Sequence, residues 1–199
     1  MTGTGPKVHR ALLLALALVL LLGDAAADAP ALKAGVFTPA RPAPDFTLLG
    51  SDGSELKLSR YRGKVVVVAF GFTSCPDVCP VTLATLAQAR RKLGSEAGEL
   101  QVLYITVDPD RDDAARMHSY LARFDATFLG GTGAADRLAA VREEYGITAT
   151  KRQAGDSYLM AHSSFTYLID RAGKLRALMP YGHTADDYVH DLRILLAGP

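Results

Sequence analysis

The sequence has no tryptophan and only two cysteines, Cys75 and Cys79, among its 199 residues. Two cysteines are too few for a disulfide framework, or for a zinc site made of cysteine alone within one chain. Because they lie four positions apart, we expect them to act together, either as a disulfide or as two ligands of one metal ion. The function of the chain is therefore predicted to depend on this pair.

An excess of charge of one sign is also missing, since 22 basic and 21 acidic residues leave a net charge of +1. Beyond the N-terminal segment through Ala27, the two numbers are 20 and 20. Proteins that bind nucleic acid need an excess of Lys and Arg to neutralise phosphates, so this balance argues against a nucleic-acid partner. Apolar residues make up 49% of the chain, which excludes a disordered protein.

A long apolar run occurs at residues 11–22, directly after Lys7 and Arg10. Its 12 residues fall short of the roughly 20 that span a bilayer. Small residues up to Ala27 follow, so residues 1–27 are predicted to be a secretory signal peptide, with an N-terminal membrane anchor as the alternative. In both cases the rest of the chain is exported, either periplasmic or anchored to the inner membrane facing the periplasm, where disulfides are permitted.

The remaining sequence predicts a linker and one domain. Residues 28–43 are rich in proline and alanine and predict an extended linker, followed by a domain over residues 44–199. Hydrophobic patterning predicts strands and helices in alternation, which is typical of an α/β fold with a central sheet flanked by helices. The predicted elements are a hairpin around residues 51–53, buried strands at 65–70 and 100–107, a short strand at 127–129, strands at 164–169 and 175–179, and helices at 80–93, 113–124, around 138–145 and from Thr184, with residues 147–161 irregular or a hairpin.

The two cysteines lie in a turn-rich segment, residues 70–80, between a buried strand and a helix predicted to begin at Pro80. Functional groups of α/β proteins commonly lie at such carboxyl ends of strands. A helix N-terminus also stabilises a thiolate, because its free N–H groups carry partial positive charge. The pair suits either a redox disulfide or a thiophilic ion such as Cu(I), although redox pairs usually have two intervening residues and this one has three.

A third ligand would complete such a copper site. His162, 83 residues beyond Cys79, directly precedes the strand at 164–169 and follows an irregular segment that could fold over a site. Spacing alone leaves open whether His162 is a ligand. His118, His183 and His190 are predicted to be surface or capping residues.

A group of aspartates follows the second buried strand, at the same predicted sheet edge as the cysteines. Asp110, Asp112 and Asp113 are predicted to cap the following helix and to complement its dipole. Asp108, at the end of the strand, is instead a candidate for approaching the metal site behind its ligands.

Over about residues 44–196, the sequence resembles the Sco/SenC family of copper-binding cytochrome oxidase assembly proteins. The motifs that carry the resemblance are Pro44-Asp-Phe46, residues 70–80 with both cysteines, Thr106-Val-Asp-Pro-Asp-Arg-Asp112, Gly131-Thr-Gly133, Tyr145-Gly-Ile147, and His162 with Tyr167-Leu-Ile-Asp170. It implies a thioredoxin-like fold, a central mixed sheet flanked by helices, with an added N-terminal β-hairpin. It also implies one copper per chain, as Cu(I) and/or Cu(II), bound by Cys75, Cys79 and His162. Many members carry an acidic residue before this histidine, where this chain has Ala161.

The resemblance implies a metallochaperone rather than an enzyme, delivering copper to the dinuclear CuA centre in the copper-accepting subunit of cytochrome c oxidase. Another periplasmic copper chaperone or a thiol reductant is expected as a further partner. The alternative is an exported thiol–disulfide oxidoreductase that reduces the cysteines of the acceptor, for which Cys75 and Cys79 are the redox pair. A thiol peroxidase is a third and weaker candidate.

Overall fold

The computed structural model describes residues 31–198. The predicted signal peptide or anchor, residues 1–27, lies outside these residues. Within the described part of the chain, no helix is both long and apolar enough to cross a membrane.

The described residues form ten β-strands and four α-helices. The strands are β1 Gly35–Pro42, β2 Thr47–Gly50, β3 Glu55–Lys57, β4 Val65–Gly71, β5 Leu100–Thr106, β6 Leu129–Thr132, β7 Ala149–Ala154, β8 Ser157–His162, β9 Phe165–Ile169 and β10 Lys174–Pro180. The helices are α1 Val78–Leu93, α2 Ala114–Leu121, α3 Ala135–Glu144 and α4 Ala185–Ala197. Short 3₁₀ turns at Leu58–Tyr61 and Gly94–Glu99 connect neighbouring elements.

Eight strands form one mixed sheet in the order β1-β10-β9-β4-β5-β6-β2-β3. The central pairs β4–β5 and β5–β6 are parallel, whereas the other pairs are antiparallel. All seven residues of β4 are buried, as its continuous apolar sequence predicts for a strand covered on both faces. The predicted α/β class, with a central mixed sheet flanked by helices, is confirmed.

Helices cover this sheet and complete the core. Helix α1 packs against α4, while α2 packs against β6. The predicted capping box is present at the start of α4, where Thr184 and Asp187 bond each other's backbone N–H groups. The predicted hairpin around residues 51–53 is present as β2 and β3.

The structure differs from the predicted linker at residues 28–43, because Gly35–Pro42 forms the edge strand β1, paired with β10. The prolines of this segment favoured the prediction of a linker over that of a strand. An edge strand tolerates prolines, because one row of its N–H groups needs no partner. Helix α1 also begins at Val78, two residues before the predicted start at Pro80. Cys79 is therefore inside the first turn rather than ahead of it.

The segment predicted as irregular or a hairpin, residues 147–161, is a hairpin made of β7 and β8. These two strands form a separate two-stranded sheet in which Ala149 pairs with His162 and Ala154 with Ser157. His162 is consequently the last residue of a strand.

Candidate functional site

The cysteine loop, residues 72–79, connects the buried strand β4 to the first turn of α1. Both cysteines are free thiols, and they differ in exposure. Cys79 is 3% exposed and belongs to the core, whereas Cys75 is half-buried and packs at its edge. The loop therefore presents one accessible and one buried sulfur.

His162 meets the buried sulfur, because its Nε2 lies 3.5 Å from Cys79 Sγ. Its Nδ1 lies 2.9 Å from the backbone carbonyl of Ser163. A carbonyl oxygen only accepts, so Nδ1 donates this bond, and Nε2 is the ring nitrogen that faces the sulfur. The edge-to-face ring of Phe72, with centroids 5.8 Å apart, further orients the imidazole.

The two thiols have opposite shifts in pKa. A hydrogen bond from Cys79 lowers the pKa of Cys75 to about 3, and His162 and the backbone N–H groups at the start of α1 act in the same direction. The same hydrogen bond, donated by the Cys79 thiol to Cys75, together with burial, raises the pKa of Cys79. The pair therefore carries one negative charge at neutral pH, located on the accessible Cys75.

Cys75, Cys79 and His162 are neighbours, joined by pairwise contacts. Within residues 31–198, no group of three or more His, Cys, Asp or Glu side chains is already arranged as a metal-ligand cluster. The contact between Cys79 and His162 joins residues 83 positions apart, and only the fold brings them together. The donor set of two sulfurs and one imidazole nitrogen is the kind that thiophilic ions prefer.

Sequence reasoning did not select Tyr104 and Gly71, which lie beneath Cys79. Tyr104, on β5, is fully buried, and its hydroxyl donates to the carbonyl of Phe72 at 3.3 Å beside the Cys79 sulfur. A side chain on Gly71 would overlap this hydroxyl and would place its Cβ 2.8 Å from Cys79 Sγ. Gly71 is thus required for the approach of the cysteine and the tyrosine, and a glycine at the end of a buried strand was the only signal for it.

Asp112 has a different role from the predicted helix cap. Its carboxylate is fully buried and accepts hydrogen bonds from Thr73 N at 2.9 Å, Thr73 Oγ1 at 2.6 Å and Thr106 Oγ1 at 2.7 Å. It therefore fastens the cysteine loop to the end of β5. The predicted cap is Asp113, which accepts from Arg116 N at 2.7 Å.

Asp108 and Asp110 face the β7–β8 hairpin. The carboxylate of Asp108, with no exposed surface, accepts from Tyr158 Oη at 2.7 Å and forms an ion pair with Arg111. Asp110, predicted as a cap, instead forms an exposed ion pair with Lys151. The bonds of Asp108 lead to the strand that carries His162, not to the cysteines.

The other histidines within residues 31–198 lie apart from the sulfurs. His118 is exposed on α2, as predicted. His190 contacts the buried carboxylate of Asp191 at 2.9 Å, and His183 lies 3.7 Å from Asp187. His183 also lines the groove described next, which the sequence did not predict.

An apolar groove of about 260 Å³ opens beside the Cys79–His162 contact, between α1 and the ends of β9 and β10. Its lining includes Val81, Phe165, Met179, Tyr181 and His183. Val81 and Tyr181 are two of the few large apolar side chains exposed in the described chain.

A family model described as SCO1/SenC matches residues 37–197. Among curated proteins, the mitochondrial SCO2 homolog of Mus musculus is 35% identical over 153 residues, covering 75% of this chain and 60% of its own length. A SCO2-like protein of Rickettsia conorii is 33% identical over 133 residues, covering 65% of both chains. The chain spans about three fifths of the length of such curated relatives.

Solved structures show the same fold. The copper-bound structure of ScoI from Bradyrhizobium japonicum superposes with a TM-score of 0.72 at 32% identity, covering 77% of this chain and 99% of that one. Copper-bound yeast Sco1 superposes with a TM-score of 0.71 at 30% identity, covering 80% and 90% of the two chains. The predicted thioredoxin-like architecture is confirmed by these neighbours.

Proposed function

Because the chain belongs to the SCO1/SenC family, we propose that it is a metallochaperone that binds one copper ion through Cys75, Cys79 and His162. It delivers this ion to the CuA centre in the copper-accepting subunit of cytochrome c oxidase. The observation that carries the proposal is the 3.5 Å contact between Cys79 Sγ and His162 Nε2. Copper-bound relatives with the same fold support copper as the cargo.

The chemistry of the three side chains fits Cu(I). Soft thiolate sulfurs select Cu(I), and a neutral imidazole nitrogen suits copper in either oxidation state. Cys75 already carries a thiolate at neutral pH, while Cys79 must lose its proton when the metal binds. Because only one of the two sulfurs is charged, the copper-free protein does not hold two adjacent negative charges at this site.

The unequal exposure of the two cysteines predicts the order in which copper exchanges its ligands. Cys75 is the accessible sulfur, so copper enters and leaves through it while Cys79 and His162 remain bound. An acceptor thiolate can then replace Cys75 first, and the remaining ligands in turn. The proposed location is outside the cytoplasm, periplasmic or anchored at the inner membrane, where an oxidase acceptor, another copper chaperone and a thiol reductant are the partners.

Anaerobic Cu(I) titration of the reduced full chain, with metal analysis, tests the proposal. We expect one copper per chain, lost in Cys75→Ser and in Cys79→Ser. His162→Ala should weaken binding by more than about 100-fold, because even partners behind the ligands contribute 10–100-fold. His183→Ala is the matched control, since His183 lines the same groove without touching a sulfur, and it should bind copper like the wild type.

Wild-type protein that binds no copper, or His162→Ala protein that binds as tightly as His183→Ala, would contradict the proposal. Delivery is tested separately, by transfer of the bound copper to a purified CuA domain. A loaded chain that never gives up its copper to this acceptor would limit the function to storage.

A thiol–disulfide oxidoreductase is the second candidate, and the unequal thiols favour it. The Cys75 thiolate would attack an acceptor disulfide and form a mixed disulfide, releasing one acceptor thiolate. Cys79 would then attack Cys75 Sγ, leaving a Cys75–Cys79 disulfide and a reduced acceptor dithiol, so two electrons pass to the acceptor. A separate dithiol reductant must restore the pair. His162→Ala discriminates, because it should abolish tight copper binding and leave this exchange intact.

A further inference from the structure

The β7–β8 hairpin, which carries His162, has little hydrophobic support of its own. It is a separate two-stranded sheet, and most of its side chains are exposed. An isolated two-stranded hairpin is marginally stable in water at best. The position of His162 therefore depends on the contacts that join the hairpin to the rest of the domain.

The main polar contacts converge on Tyr158, four residues before His162. Its hydroxyl donates to Asp108 Oδ1 at 2.7 Å, and its backbone carbonyl accepts from Arg111 Nη1 at 3.2 Å. The guanidinium carbon of Arg111 also lies 4.0 Å from the centroid of the Tyr158 ring. Both the ring and the backbone of Tyr158 are thus held by the segment that follows β5.

Asp108 provides the fixed end of this contact. Asp108 is separated from the end of β5 by Val107, and its side chain has no exposed surface. Its backbone N–H donates to Thr106 Oγ1 at 3.0 Å. A buried carboxylate is costly unless it is paired and hydrogen-bonded, and here both of its oxygens are used, by Arg111 and by Tyr158. Removing Arg111 would leave the buried charge unpaired, and removing the Tyr158 hydroxyl would leave a buried carboxylate oxygen without a donor, so the three groups stabilise one arrangement.

Arg111 extends this arrangement to the cysteine loop. Its guanidinium carbon lies 5.6 Å from the centroid of the Phe72 ring, and the edge-to-face contact of Phe72 with His162 completes the connection. The same arginine therefore contacts the hairpin on one side and the first residue of the cysteine loop on the other.

We propose that Asp108, Arg111 and Tyr158 form a clamp that positions His162 against Cys79 by fixing the β7–β8 hairpin to the end of β5. These are positioning residues that act through the hairpin, and the inference rests on the proposed role of His162 as a copper ligand. It assigns Asp108 a specific task and adds Arg111 and Tyr158, which the sequence analysis did not select.

The test compares Asp108→Asn and Tyr158→Phe with Asp156→Asn, a matched change at an exposed aspartate in the hairpin turn. Tyr158→Phe removes only the hydroxyl and keeps the ring over Arg111, so the test can still be made if Asp108→Asn fails to fold. In the copper-free full chain, amide hydrogen exchange across β7 and β8 should accelerate in both clamp variants and stay at the wild-type rate in Asp156→Asn.

In the copper-loaded chain, Cu(I) affinity should fall about tenfold in Asp108→Asn and by less in Tyr158→Phe. The nitrogen hyperfine coupling of bound Cu(II) in electron paramagnetic resonance should weaken in the same order. In a His162→Ala background, Asp108→Asn should cause no further loss of affinity, because the clamp acts only through His162.

Three outcomes would overturn the clamp: unchanged hairpin exchange, unchanged nitrogen coupling, or an Asp108→Asn effect that is fully additive with His162→Ala. Failure of the proposed function is distinguishable, since it would appear as a missing effect of His162→Ala itself. Hydrogen exchange in the copper-free chain reports on the clamp in either case.

Discussion

The cysteine loop and the β7–β8 hairpin supply the proposed ligands, and they are held in different ways. The loop joins a strand with all seven residues buried to a helix whose first turn buries Cys79. The hairpin stands outside the main sheet and exposes most of its side chains. The sulfurs thus belong to the hydrophobic core, while the imidazole depends on polar contacts with it.

A single segment after β5 links the two regions. Asp112 bonds the cysteine loop through Thr73, whereas Asp108 bonds the hairpin through Tyr158. Because both aspartates are fully buried, neither has water as an alternative partner. The two halves of the site therefore share an anchor, although only one of them is packed into the core.

The largest effect is expected on the pKa of Cys75 when the Cys79 thiol is removed. With a pKa of about 3, Cys75 should be alkylated by iodoacetamide at a rate that is independent of pH between about 5 and 8, because the thiolate is lost only as the pH falls toward 3. Cys79→Ala removes the side chain whose hydrogen bond contributes most to this shift, so the pKa of Cys75 should rise and its rate should then increase with pH. A flat profile in both proteins would show that His162 and the helix start set this pKa without Cys79.

Removing the anchor of the cysteine loop should have the next largest effect. Asp112→Ala leaves the Thr73 N–H, the half-buried Thr73 hydroxyl and the buried Thr106 hydroxyl without their acceptor, so we expect the unfolding free energy to fall by about 3 kcal/mol in chemical denaturation. Asp113→Ala, at the neighbouring exposed helix cap, should cost only about 1 kcal/mol. Equal losses in the two variants would mean that Asp112 has no role beyond capping.

Adding a methyl group at Gly71, beneath Cys79, should lower the unfolding free energy by somewhat less. Gly71→Ala pushes a methyl group against the Tyr104 hydroxyl and Cys79 Sγ, and overpacking of this kind costs about 1–3 kcal/mol. Gly133→Ala, where the nearest atom to the new carbon is 3.7 Å away, should stay within about 1 kcal/mol of the wild type. Thermal denaturation of both variants checks this, and an unaffected Gly71→Ala protein would show that Cys79 can move aside.

The smallest effect should come from the exposed ion pair on the hairpin. The side chains of Lys151 and Asp110 are about half-exposed, so Lys151→Gln should change the unfolding free energy by less than about 1 kcal/mol. Hairpin amide exchange should likewise remain close to the wild-type rate. A loss as large as that of Asp108→Asn would show that surface charge, rather than the buried clamp, holds the hairpin.

Much of the frame could be predicted from local patterns. Residues 65–70 predict a strand buried on both faces because they are all apolar and begin with a run of β-branched valines, and this strand is β4. The capping box of Thr184 and Asp187 was equally readable, since its spacing is fixed by one helical turn. The edge strand β1 was missed because its prolines favour a linker when its partner β10 is unknown.

The site was only partly predictable. Cys75 and Cys79 are neighbours in sequence, so their proximity follows from the local turn. Asp112 looked like a helix cap because its bonds to Thr73 cross 39 positions of sequence, and Tyr158 gave no signal because its partner Asp108 lies 50 positions away. The role of such a side chain depends on a distant hydrogen-bond partner, which hydrophobic periodicity cannot identify.

Local sequence patterns are sufficient for the core strands, the helix that follows the cysteines, and a pair of thiols close enough to act together. Each of these depends on residues within a few positions of one another, through hydrophobic periodicity or helix-terminus chemistry. Packing of distant segments is what makes His162 Nε2 face Cys79, leaves Cys75 as the accessible sulfur, and lets one polar segment hold both regions. The physical reason is that burial and hydrogen-bond partners are properties of the packed sheet, which joins residues far apart in the chain.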